Sequence, residues 1–198
     1  MADLASEKDR FNAWLPLCAA VTAIAVFIPF AIYGYNVGEL LYLVVILPII
    51  GLLLLTVAIT IACFRRFRRS LTVLSMVAVY VLASWLLFRN SATIHFTGKW
   101  MLESGRYKAQ VLALPPPANG ELKHVEWDGW GFAGSDTSAY LVYDPQNLLS
   151  SALKNHTSGN FPGIPCSVPG VRRLGSHWYS IVFYTDTDWD HCGLANKK

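Results

Sequence analysis

The chain opens on a short polar stretch, residues 1–10, and then turns apolar as far as Phe88. Three apolar runs stand out, at 11–33, 40–64 and 71–88. The first contains no Asp, Glu, Lys, Arg or His and exceeds the ~20 residues that cross a hydrocarbon core. It also exceeds the core of a signal peptide, about 7–15 residues, which predicts a retained helix. The second run holds Pro48 and Gly51. A bend is expected there rather than a break, because neighbouring helices re-satisfy a carbonyl that proline frees. The third run reaches about 27 Å at 1.5 Å per residue, just enough to cross. Three transmembrane helices are predicted.

Polar positions between the runs orient them. Residues 65–70 carry Arg65, Arg66, Arg68 and Arg69, and arginine-rich loops stay on the cytoplasmic side. Lys8 and Arg10 lie on that same side of the first run, and 34–39 holds no Lys or Arg. Only Arg89 dissents. The expected topology is a cytoplasmic N-terminus, three spans of the inner (plasma) membrane, and a C-terminal domain on the periplasmic or extracellular side. Trp14, Tyr33 and Tyr35 suit the aromatic belts of a bilayer.

After Phe88 the pattern shortens. Residues 89–105 read as a juxtamembrane link in which His95, Phe96, Trp100, Met101 and Leu102 form a short interfacial helix. Residues 106–198 read as a small α+β domain. Its strands are expected at Tyr107–Leu114, Leu122–Trp130, Ala139–Tyr143, Val171–Leu174 and His177–Tyr184, an antiparallel sheet of about five. The last two should pair across Gly175-Ser176 in a type II′ turn. Asp144-Pro145 suits an N-cap and first helical position, so one packed helix is expected to about Lys154, with Leu148, Leu149 and Ala152 inward.

Charge removes one class of partner. The 198 residues are 54% hydrophobic and 15% charged, with a net charge of +3. Residues 1–89 hold 7 Lys/Arg against 4 Asp/Glu, and residues 90–198 hold 9 of each. The excess therefore flanks the apolar runs, and a neutral C-terminal half offers no footprint to a phosphate backbone. Nucleic acid is not expected as a partner; the lipid bilayer and another envelope or membrane protein are. Ala19 and Ala23, at small-xxx-small spacing, also allow a homo-oligomer.

Cysteines agree with the topology. Cys18 and Cys63 lie inside apolar runs, whereas Cys166 and Cys192 lie in the outer half, where disulfides persist. Their spacing matches no zinc pattern, so a Cys166–Cys192 disulfide is favoured over a metal site.

Candidate chemistry is sparse. No nucleotide or cofactor fingerprint is present, no G-x-S-x-G elbow, and no paired-histidine metal motif. The apolar runs lack the intramembrane carboxylates or histidines of a proton relay. Asp186-Thr187-Asp188-Trp189-Asp190 starts like a calcium loop, but His191 stands where glycine is needed and a lysine where glutamate is. Trp127-Asp128-Gly129-Trp130-Gly131-Phe132 is the densest aromatic run. Trp127 is expected in the core, while Trp130 and Phe132, with Trp189 and His191 of the tail, are the expected binding residues. An interaction module of the cell envelope is the leading expectation. The alternatives are a membrane-tethered hydrolase using His177 or His191 with Asp188 or Asp190, and an accessory subunit of a larger membrane complex.

Overall fold

A computed structural model describes residues 13–35, 37–63, 67–117, 120–132, 135–150, 153, 158–184 and 187–192. Side chains at 39, 58, 61–63, 67–70, 132 and 135 lie outside that description. Helices come first and a four-stranded antiparallel sheet follows. The chain divides into two compact units, Met1–His95 and Phe96–Lys198.

The first unit is helical. Helix α1 covers Trp14–Tyr33. A second helical stretch comprises α2 (Val37–Leu41), a π-helical turn (Tyr42–Ile46) and α3 (Leu47–Cys63). Helix α4 covers Phe67–Arg89. Two helical segments, Trp14–Tyr33 and Leu71–Arg89, are long and apolar enough to cross a membrane; Tyr42–Val57 is a shorter apolar helix. Only 22% and 17% of the two long segments is buried. A core helix of a soluble protein would be mostly covered.

What the helices do bury is small and ordered. Ala19, Ala23, Phe27 and Ala31 recur every four residues along α1 and form its buried stripe. Ala19 and Ala23 pack with Tyr80, Leu47 and Ile50; Phe27 and Ala31 pack with Tyr42, Leu87 and Phe88. Residue numbers thus rise together along α1 and α4 and fall along the middle stretch, so α1 and α4 run parallel with the third antiparallel to both. The Ala19–Ala23 face, expected to suit self-association, is occupied within the chain.

Pro48 acts one turn earlier than a simple bend would. Lacking its N–H, it cannot continue the α-helical ladder, and the preceding residues Tyr42–Ile46 widen into a π-helical turn. That turn places Tyr42 inward, its hydroxyl 3.1 Å from that of Tyr80 and 2.7 Å from Ser84 Oγ. Three hydroxyls satisfy one another where no water would reach them.

Helix α4 ends at Asn90, whose side-chain amide donates to the Leu86 carbonyl at 2.8 Å. Helix α5 then covers Ser91–Ala113, and here three expectations are corrected. Residues 91–105 are no short interfacial helix alone but the first part of a 23-residue one. Tyr107–Leu114 is helical to Ala113, not a strand, because Phe96, Trp100, Tyr107 and Val111 recur at helical spacing and pack together on the sheet. The sheet accordingly has four described strands, not five. Pro115–Pro117 stop the helix, and Lys123 Nζ donates to the Leu112 and Leu114 carbonyls at its end.

The strands are β1 (Lys123–Phe132), β2 (Ser135–Tyr143), β3 (Gly170–Gly175) and β4 (Trp178–Tyr184), in the order β1-β2-β4-β3. The Gly170–Tyr184 hairpin forms as expected, but it turns on Ser176 and His177 with positive φ at His177, not as type II′. His177 holds that conformation through two contacts with Asp144: its carbonyl accepts the Asp144 N–H at 2.9 Å, and its Nδ1 lies 3.1 Å from the Asp144 carbonyl.

Both faces of the sheet are covered. Trp178 to Phe183 in β4 are nearly all buried, the signature of a strand with a layer on each side. Helix α5 covers one face with Phe96, Trp100 and Val111 over Trp127, Leu141 and Trp178. Loops cover the other, where Leu149, Ile164, Val168 and Trp189 meet Val142, Tyr179, Ile181 and Phe183. Of the helix expected after Asp144, Ser150 and Leu153 are helical among the described residues, after turns at 145–146 and 148–149; 151, 152 and 154 lie outside them. Asp144 still caps, its carboxylate accepting the N–H groups of Gln146 at 3.1 Å and Leu149 at 2.8 Å.

Candidate functional site

The expected site residues do not converge. Trp130 lies on the α5 side of the sheet, edge-on to Phe96 with ring centroids 5.9 Å apart. Trp189 and His191 lie on the opposite side, in a loop that folds back over β1 and β2. Phe132 ends β1, and its side chain lies outside the described residues, as do Arg65 and Arg66 and the side chains of Arg68 and Arg69. Trp127 is buried, as the sequence led one to expect.

The tail loop is the better-built of the two regions. Cys166 and Cys192 form a disulfide, Cα atoms 5.1 Å apart, which pins the loop carrying Asp188 to His191. Trp189 is only 2% exposed. Its ring stacks on His124 at 3.7 Å between centroids, and its indole N–H donates to Glu121 Oε2 at 3.0 Å. The sequence set Trp189 among the binding residues; the structure gives its ring to the core and leaves the neighbouring polar groups outward.

Those groups form an acidic rim. The Asp188 carboxylate accepts the backbone N–H groups of Asp190 at 2.9 Å and His191, and lies 3.1 Å from His191 Nδ1. Slight desolvation pushes the Asp188 carboxyl up, but these N–H groups and the adjacent imidazole outweigh it and hold the group below the usual carboxylate range. The Tyr140 phenol beside it is pushed up, first by burial and then by the charges of Glu126, Asp188 and Asp190 around it. With its carboxylate committed to its own loop, Asp188 makes an acidic turn rather than an open calcium cradle. No three His, Cys, Asp or Glu residues come together as a metal-ligand set among the described residues.

On the other side, cations rather than acids gather on aromatic faces. Lys108 Nζ lies 4.3 Å from the Trp100 ring centroid and 5.9 Å from that of Trp178. The Arg172 guanidinium lies 5.0 Å from the Phe96 ring, and Lys99 lies 5.8 Å from Trp127 while pairing with Asp128 at 2.8 Å. This cation–aromatic layer was invisible as a motif, since its members come from α5, β1, β3 and β4. The signal lay in α5 itself, which places lysines one step from its aromatic positions.

The histidines proposed for hydrolysis are separate. His177 spends its Nδ1 on a backbone carbonyl in a turn, and His191 meets Asp188 at an exposed rim. Glu126, Asp188 and Asp190 thus gather on the loop-covered side, with Arg173 near Tyr179, and Lys99, Lys108 and Arg172 gather with Asp128 on the helix-covered side. Compared with known proteins, the chain matches no protein-family model, no curated protein and no solved structure.

Proposed function

We propose that the chain is a multi-pass protein of the inner (plasma) membrane that holds a disulfide-bonded α+β domain outside the cytoplasm, where the domain binds another envelope or membrane protein. The carrying observation is the contrast between the two units. One is a set of apolar helices left largely uncovered; the other is a charged, cystine-tied domain with its own core. Membrane anchoring explains the first and an oxidising compartment the second.

The second helical stretch completes three spans in this reading. The arginines at 65–69 then stay in the cytoplasm and the N-terminus with them. Parallel α1 and α4 support that arrangement, because two spans separated by one antiparallel span cross in the same direction. The separation of the histidines supports binding over hydrolysis. An accessory subunit of a larger complex is the same proposal with the partner already in the membrane.

The test is a photo-crosslinking residue placed at Asp190 or His191 in living cells, with Gln110 as a second position. A specific adduct with an envelope protein, lost when the outer domain is unfolded by reductant, is the expected result. A chain washed from membranes by alkaline carbonate would overturn the proposal.

A further inference from the structure

Lys99 and Lys108 both leave α5 toward aromatic rings, but their charges are met differently. Lys99 has a carboxylate, Asp128 at 2.8 Å, beside its contact with Trp127. Lys108 has rings alone. Its Nζ lies 4.3 Å from the Trp100 centroid and 5.9 Å from that of Trp178, and among the described residues no carboxylate or carbonyl pairs with it. The two indoles make a corner, their centroids 6.1 Å apart and their planes at 47°, with Tyr143 behind Trp178 at 5.0 Å. Trp100 is seated on the β3–β4 hairpin at Gly175, where a β-carbon would come within 3.2 Å of its ring. Trp178 is buried, whereas Trp100, Tyr143 and Lys108 are half-buried, which leaves the corner within reach of solvent.

We infer that this corner is a binding site for an organic ammonium ion, which Lys108 fills in cis. The ligand class is read from what already sits there: an ammonium on an apolar stem, held by ring faces and by no counter-ion. Ring faces attract a cation through their quadrupole and offer it no hydrogen-bond acceptor. A primary ammonium is strongly hydrated and gives up its water at a cost. A methylated ammonium has fewer hydrogen bonds to lose, so it suits the corner better than the lysine that holds it. The flexible stem of Lys108 lets it swing aside, and ligand and lysine then exclude one another. A metal ion is a poor rival, since no three His, Cys, Asp or Glu residues meet as a ligand set among the described residues. The site lies within Phe96–Lys198 alone and is separate from the protein partner proposed for the tail loop.

The test titrates the full chain, in a maltoside detergent that carries no ammonium group, with choline and follows tryptophan emission. Choline must displace Lys108 in the parent chain. In K108M and K108Q it meets the bare rings, so its half-response concentration should fall about tenfold in both. K108R keeps a cation on the rings and should titrate like the parent. W100L added to K108M should abolish the response. A second arm replaces choline by a water-soluble short-chain phosphatidylcholine below its micelle concentration. A response to free choline assigns the site to a solute, and a response to the lipid alone assigns it to a headgroup. The absence of a saturable response to either probe in K108M and K108Q overturns the inference, as does an equal half-response in the parent and K108M. A response to acetate or sulfate in the parent that K108M loses overturns it too, because Lys108 would then be a ligand for anions.

Discussion

Lys99 Nζ sits 2.8 Å from Asp128 Oδ1, and the two meet because β1 bulges between Glu126 and Asp128. Simple alternation puts Asp128 beside Glu126 on the loop-covered face. The extra residue, Trp127, shifts the register, so Asp128 pairs with Ala139 and turns toward α5. Trp127 thereby fills the core and Asp128 ties the helix to the sheet. Both carry little exposed side chain, 15% for Lys99 and 12% for Asp128. Breaking such a pair leaves a poorly solvated charge, so Asp128→Asn should cost about 3 kcal/mol. Replacing both partners, Lys99→Met with Asp128→Leu, should cost much less. Urea unfolding in detergent, followed by tryptophan fluorescence, measures both.

The disulfide closes a loop with a sequence separation of 26. In the chain-entropy model it contributes about 3.5 kcal/mol. Cys192→Ser should lower stability by about that much and wet Trp189, whose fluorescence should shift to the red. Unchanged emission would separate the bridge from the packing of Trp189.

Gly163 has φ +80, and a β-carbon there would stand 2.7 Å from Leu122 Cγ. Its carbonyl also accepts the Leu122 N–H at 2.9 Å, fixing the chain just before β1. Gly163→Ala should cost about 2 kcal/mol or more. In a Leu122→Ala background the cost should fall to the backbone part, about 1 kcal/mol, and a double-mutant cycle measures the difference.

Acid should loosen the tail loop through Asp188. Its folded carboxyl lies below the ordinary value of 3.8, so its contribution is present above that value and lost as pH falls through the folded one. Asp188→Asn should flatten the acid limb of a stability profile recorded between about pH 5 and pH 2. A limb unchanged in the variant would assign acid sensitivity to another carboxylate.

The sequence revealed the apolar helices, the cystine, the Gly170–Tyr184 hairpin and the burial of Trp127, because each rests on local chemistry or length. It showed the first part of α5 and hid the rest, and the reason is periodicity. Tyr107 and Val111 share a face under a two-residue period and under a helical one alike, so eight residues could not decide. Only Phe96 and Trp100, read in the same window, expose the helix. The loop layer over the second face stayed hidden because Leu149, Ile164, Val168 and Trp189 come together from distant irregular segments. The bulge that re-aims Asp128 has no composition of its own, and with it went the Lys99–Asp128 pair.

The side of the membrane decides the account. Alkaline phosphatase, which is active only after export, and a fluorescent protein, which matures only in the cytoplasm, can each be fused after Lys198 and compared in a Gram-negative host. The account predicts phosphatase activity without fluorescence, together with an oxidised Cys166–Cys192 pair. Fluorescence without phosphatase activity, with both thiols free, would contradict it.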